Sequence, residues 1–92
     1  MNGIDRLNLY DQALDQWGLP LQLGMLVEEC AEVIQAVNKF QRKGNQESID
    51  NLAEEIADVE IMLEQIKRAL RLDQQSMDHK TKKLNRLKEM LE

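Results

Sequence analysis

Cysteine occurs once in this 92-residue chain, at Cys30, so no disulfide closes within it and no thiolate cluster holds a metal. The lone thiol reads as a small buried helix residue rather than a nucleophile. Proline also occurs once, at Pro20, and glycine four times, which leaves few places where a helix must stop. The aromatics are Tyr10, Trp17 and Phe40, too few for a stacking cage around a base. No apolar run is long enough to cross a bilayer, and no membrane partner is expected. The chain is polar at once from Asn2 to Arg6, without a charged-then-apolar leader, so the expected address is cytoplasmic. An excess of positive charge is missing too: the net charge is −5, and no basic face exists to displace counterions from polymeric nucleic acid. Phosphate ligands stay open, because a metal ion reverses the local sign.

What the chain does have is helix formers. Apolar residues make up 42% and charged residues 32%, the composition of amphipathic helices around one core, and residues 1–92 are expected to form a single domain. Punctuation at Gly18-Leu19-Pro20, at Gly44-Asn45 and, weakly, at Asp73-Gln74-Gln75-Ser76 divides it into four helices. These are expected over about Ile4–Trp17, Leu21–Arg42, Glu47–Leu72 and Met77–Leu91. In the second, Leu23, Leu26, Cys30, Val33, Val37 and Phe40 alternate spacings of three and four. In the third, Ile49, Leu52, Ile56, Val59, Leu63, Ile66 and Leu70 do the same. Such stripes pack in bundles, and short turns favour antiparallel neighbours. The fold class is therefore all-α, an antiparallel helical bundle. A chain this short buries a modest share of its surface, so a homo-oligomer is expected.

Two acidic clusters mark the second and third helices, Glu28-Glu29-Cys30-Ala31-Glu32 and Glu54-Glu55-Ile56-Ala57-Asp58. Carboxylates three residues apart lie about 60° apart around a helix and nearly one turn along it, so both lean over one patch. At ~100° per residue, Glu29 and Glu55 fall at the edges of the apolar stripes, while Glu28 and Glu54 point to water. Matching rows, Gln22-Met25-Glu29-Glu32-Ala36 and Asn51-Glu55-Asp58-Met62, read as facing walls of one groove. Four carboxylates gathered there repel one another unless a proton or a cation intervenes. Oxygen-only donors select hard divalent ions, Mg²⁺ before Mn²⁺, and Mg²⁺ keeps positions open for phosphate oxygens. The bland alternative is a pair of solvated acidic helix faces.

The motifs resemble those of the MazG-like all-α nucleoside triphosphate pyrophosphohydrolases, whose signature is ExxE, a variable spacer, then ExxD. Here it reads Glu29-Cys30-Ala31-Glu32, twenty-two intervening residues, then Glu55-Ile56-Ala57-Asp58. Trp17-Gly18 and Gln22 before the first motif, Arg42-Lys43-Gly44 after its helix, and Ala57-Asp58-Val59 with Ile61-Met62-Leu63 in the second are similar as well. The likeness spans about residues 13 to 66, and the fourth helix more loosely. It implies a bundle assembling at least as a dimer, as homodimer or homotetramer. It also implies Mg²⁺-dependent hydrolysis of nucleoside triphosphates to a nucleoside monophosphate and pyrophosphate, with nucleotide-pool house-cleaning as the role. By position, Glu29, Glu32, Glu55 and Asp58 match the catalytic Mg²⁺ ligands, and Glu32 or Glu29 is the candidate to orient the attacking water.

The resemblance also implies phosphate contacts from the fourth helix, where Lys80, Lys82, Lys83, Asn85, Arg86 and Lys88 cluster. Lys83 and Arg86, at i and i+3, share a face able to meet a triphosphate, and Asn85 lies between them. A solvated basic face is the plainer reading. For the base, Gln22 and Asn38 offer donor and acceptor atoms, and Trp17 a stacking surface, although a bundle needs Trp17 as a core anchor. His79 is the only histidine and is expected at the surface; a phosphotransfer role would need it mid-helix near a lysine. The rival to the enzyme is a non-catalytic helical dimerisation or interaction module.

Overall fold

The computed structural model describes residues 1–92 as four helices: α1 (Gly3–Trp17), α2 (Leu19–Lys43), α3 (Gln46–Leu70) and α4 (Asp73–Leu91). The all-α class expected from periodicity is observed. None of the helices is long and apolar enough to cross a membrane. Asn2 caps α1 by accepting from the Asp5 N–H at 2.8 Å. α2 starts two residues before the expected Leu21, because Pro20 sits in its first turn, where its missing N–H costs nothing.

Gly44 ends α2 in the left-handed conformation, φ 57°, and only two residues separate α2 from α3. Asn45 then caps α3 reciprocally with Ser48. The Ser48 N–H donates to Asn45 Oδ1 at 2.9 Å, and the Asn45 N–H donates to Ser48 Oγ at 3.1 Å. Ser48 is fully buried beneath this turn. The result is an α2–α3 hairpin that carries most of the tertiary contact in the chain. Advancing along α2 from Gln22 to Glu29 corresponds to going back along α3 from Gln65 to Asp58, the register of an antiparallel pair.

α1 lies on this hairpin, against both α2 and α3. Tyr10, nearly buried, donates its hydroxyl to Glu64, and Arg6 approaches the other oxygen of Glu64 at 3.9 Å. Arg68 grips Asp11 with two parallel bonds, Nε to Oδ1 at 2.7 Å and Nη2 to Oδ2 at 2.9 Å. Each partner holds the other in its charged form: the Asp11 carboxyl is lowered and the Arg68 guanidinium raised, first by that hydrogen bonding.

Three expectations need correction. The weak break expected at Asp73–Ser76 is helical; the real break is at Arg71, in the left-handed region at φ 57°, ψ 47°. There the Arg71 N–H donates to the Arg68 carbonyl and the Leu72 N–H to that of Lys67, a Schellman stop built without glycine. Cys30 is exposed rather than buried. Trp17 is half exposed and anchors no core within the chain.

The apolar stripes behave unexpectedly as well. The buried positions are Tyr10, Gln22, Ala36, Ser48, Met62 and Ile66, so the α2–α3 seam runs along the acidic rows rather than down the stripe centres. Leu23, Val37 and Phe40 on α2, and Ile49, Ile56, Leu63 and Leu70 on α3, keep more than a third of their surface open. α4 touches only α3, and lightly, and none of its residues is buried.

Candidate metal centre

The helical register that makes the hairpin also makes the site. Glu29 and Glu32 face α3, Glu55 and Asp58 face α2, and one carboxylate oxygen from each lies within 4.8 Å of all the others. Glu32 is exposed and the other three are half-buried. Glu29 and Glu55 each turn one oxygen, Oε2, away from water with no hydrogen-bond partner. An orphaned carboxylate oxygen beside three other carboxyls is costly, and only a proton or a cation relieves it.

Protonation answers in the absence of a cation. Glu55 is pushed up to about 7, first by hydrogen bonding with Glu32, then by loss of water and by the charges of Glu32, Asp58 and Glu29. Glu29 is also raised, first by desolvation, then by Glu32, Asp58 and Glu28. The donor set is all oxygen, anionic, and half open to solvent, which fits a hard divalent cation that retains exchangeable positions. Residues and group fit.

An open cleft of about 340 Å³ leads away from the cluster, lined by Glu32, Gln35, Ala36, Lys39, Asn51 and Glu55. Lys39 is the one cation on its wall, half-buried. Sequence reasoning passed over it, yet Lys39 lies seven residues after Glu32, two turns along the same face. Larger clefts of about 700 and 490 Å³ run beside α1 and at the α3–α4 turn, but hold none of the four carboxylates. The chemistry, not the volume, singles out the smaller one.

The remaining candidates lie apart. Gln22 is buried about two turns before Glu29, donating its amide to Gln65 Oε1 at 2.8 Å, while its own Oε1 has no partner. Trp17 stands half exposed at the end of α1. Lys83, Asn85 and Arg86 are exposed on α4, and none of them lines the cleft beside the carboxylates. His79 is exposed, and since α4 begins at Asp73 it lies inside the helix rather than at its start. Asn38 faces water on α2.

No curated protein and no solved structure shows significant similarity to the chain. The family model of the MazG nucleotide pyrophosphohydrolase domain, however, matches residues 21–86, from the first turn of α2 through most of α4 and across both acidic motifs. With nearly three quarters of its length so matched, the chain belongs to the MazG nucleotide pyrophosphohydrolase domain family.

Proposed function

We propose that the protein hydrolyses nucleoside triphosphates to a nucleoside monophosphate and pyrophosphate, using Mg²⁺ (or Mn²⁺) held by Glu29, Glu32, Glu55 and Asp58. One observation carries the reading: the four carboxylates converge from two helices to within 4.8 Å, and two of them have an oxygen that nothing in the chain satisfies. A bound Mg²⁺ supplies positive charge to phosphate oxygens and acidifies water for attack at neutral pH.

The chain's own groups do the rest. Glu29, Glu55 and Asp58, half-buried, hold the ion together with the more exposed Glu32. Glu32, the exposed member at the mouth of the cleft, orients the attacking water and accepts its proton. The water oxygen bonds to the α-phosphorus as the bond to the α–β bridging oxygen breaks, and pyrophosphate leaves with that electron pair. Lys39 meets the charge of the phosphate chain across the cleft. Lys83, Asn85 and Arg86 are proposed phosphate contacts supplied by α4, and Gln22 and Trp17 contacts to the nucleoside. The protein acts in the cytoplasm as a homodimer or homotetramer, with nucleotide-pool house-cleaning as its role.

The test is pyrophosphate release from a panel of canonical and modified nucleoside triphosphates, with and without Mg²⁺. Release is expected only with the metal, and Glu55→Ala and Asp58→Ala are each expected to lower it at least a hundredfold while helicity is kept. Full activity in either variant would remove the assigned site. A non-catalytic interaction module predicts no release from any triphosphate and no thermal stabilisation by Mg²⁺ with a non-hydrolysable analogue.

A further inference from the structure

The cleft beside the four carboxylates is lined by donors that have nothing to donate to. Lys39 and Asn51 are half-buried on its walls and Gln35 is exposed at its edge. Lys39 forms no ion pair; the chain's two are Arg6 with Glu64 and Arg68 with Asp11. The Asn51 and Gln35 amides are idle, whereas those of Gln22, Gln46, Gln65 and Gln74 all donate within the chain. The acceptors on the same walls, Glu32 and Glu55, belong to the metal centre. What is left over is an ammonium and two amides, the donor set for an anion with several oxygens.

The two ends of the α2–α3 seam are chemically unlike. Lys39 lies between the carboxylates and the Gly44 turn, and Arg42 and Lys43 follow it in the last turn of α2. At the other end the seam is closed by the Gln22–Gln65 amide pair over the buried Met62. No cation stands on α2 from Leu19 to Asn38, and none on α3 from Gln46 to Ile66. A nucleotide with its α-phosphate at the carboxylates therefore finds positive charge for its remaining phosphates on the turn side alone.

Helical rise sets the spacing. Asn51 comes four residues before Glu55, about 6 Å along α3, and Lys39 seven after Glu32, about 10.5 Å along α2. Helical side chains lean toward the N-terminus of their own helix. On antiparallel limbs that brings Lys39 back toward the carboxylates and Asn51 outward, and both meet the same cleft. Buried Ala36 is its only apolar wall residue, small enough to leave about 340 Å³ open.

We propose that this cleft seats the leaving diphosphate and thereby reads the length of the phosphate chain. Asn51 and Gln35 donate to the phosphate next to the scissile bond, and Lys39 to the terminal one. The protein then prefers nucleoside triphosphates to diphosphates and holds pyrophosphate after cleavage. Glu32 and Glu55 repel a diphosphate unless a divalent ion holds them, so the seat works only with the metal bound. The inference rests on the hydrolysis proposed above and adds to it the direction and length of the substrate.

The test is calorimetric titration of the full chain with inorganic pyrophosphate, with and without saturating Mg²⁺, beside kcat/KM for the triphosphate and diphosphate of one nucleoside. Pyrophosphate is expected to bind only with the metal and to compete with the triphosphate. Lys39→Met and Asn51→Ala, whose native side chains have no partner in the chain, are each expected to weaken that binding at least tenfold. Binding of the nucleoside monophosphate, the control for an intact fold and metal centre, is expected to change less than twofold. The native protein is expected to favour the triphosphate at least tenfold, and Lys39→Met to lose most of that preference. A native protein that cleaves no nucleotide would remove the hydrolysis reading and this seat with it. Cleavage with pyrophosphate binding unchanged in both variants, or with equal use of diphosphate and triphosphate, would overturn the seat alone.

Discussion

Glu55 on α3 faces Glu32 on α2 across the hairpin, and hydrogen bonding with Glu32, loss of water and the surrounding carboxylate charge push Glu55 up to about 7, against an ordinary 4.5. The native state therefore keeps a proton that the unfolded chain gives up near pH 4.5. Between those values the folded form binds more protons, so stability falls as pH rises. The contribution of Glu55 is complete below about pH 4.5 and is lost through about pH 7; Glu29, raised in the same direction, adds to it.

The melting temperature of metal-free protein should accordingly drop between pH 5 and 7.5, and saturating Mg²⁺ should cancel the drop by replacing the proton. Glu55→Gln, neutral at every pH, should flatten the metal-free curve. Asp11, held low by Arg68, acts in the opposite sense and only near or below its ordinary 3.8, outside this window. A metal-free melt insensitive to pH between 5 and 7.5 would contradict the crowding of the carboxylates.

Lys39 is the only cation lining the cleft beside Glu32 and Glu55. Lys39→Ala should raise KM for a nucleoside triphosphate about tenfold, which is about 1.4 kcal/mol of lost binding, with a smaller change in kcat. Steady-state pyrophosphate release at fixed Mg²⁺ measures the split. An unchanged KM would place the phosphate chain elsewhere.

The Tyr10 hydroxyl is pushed up to about 12 by burial and by its bond to Glu64, so it stays a donor at all ordinary pH. Tyr10→Phe removes the donor and keeps the ring, and should cost about 1 kcal/mol, because Glu64 retains Arg6 and some water. Tyr10→Ala leaves a hole under α1 as well and should cost about 3 kcal/mol or more. Urea unfolding of both variants separates the hydrogen bond from the packing.

Arg71 adopts a conformation that glycine takes freely. Arg71→Gly should stabilise the α3 terminus, by about 0.5–1 kcal/mol, and Arg71→Val should destabilise it, as read by chemical denaturation. If both changes lower stability equally, the left-handed stop is not what ends α3.

These residues also mark what was legible beforehand. The carboxylate geometry follows from helical arithmetic on Glu29, Glu32, Glu55 and Asp58, because helix pitch fixes which side chains share a face and a two-residue turn fixes that the helices run antiparallel. Lys39 obeys the same arithmetic two turns beyond the motif and needed only a longer count. The break at Arg71 could not be read: arginine carries no turn preference, and the Asp73–Ser76 polar run offered a more conspicuous stop. The stripe through Ile56 and Leu63 was visible as periodicity, but period alone does not say whether an apolar row meets its own chain or another. Gln22 and Ser48, buried although neither belongs to an apolar stripe, show the other side of that ambiguity.

The tight turn at Gly44 and Asn45 has a consequence for variation among such chains. Everything between Glu32 and Glu55 is the far end of one hairpin, closed by the Asn45–Ser48 cap. Adding matched helical turns to the end of α2 and the beginning of α3 moves that cap outward like the closed end of a hairgrip. The four carboxyls behind it stay opposite one another. Spacer length is therefore a free dimension of the architecture, whereas a change on one limb only would slide the two acidic motifs out of register.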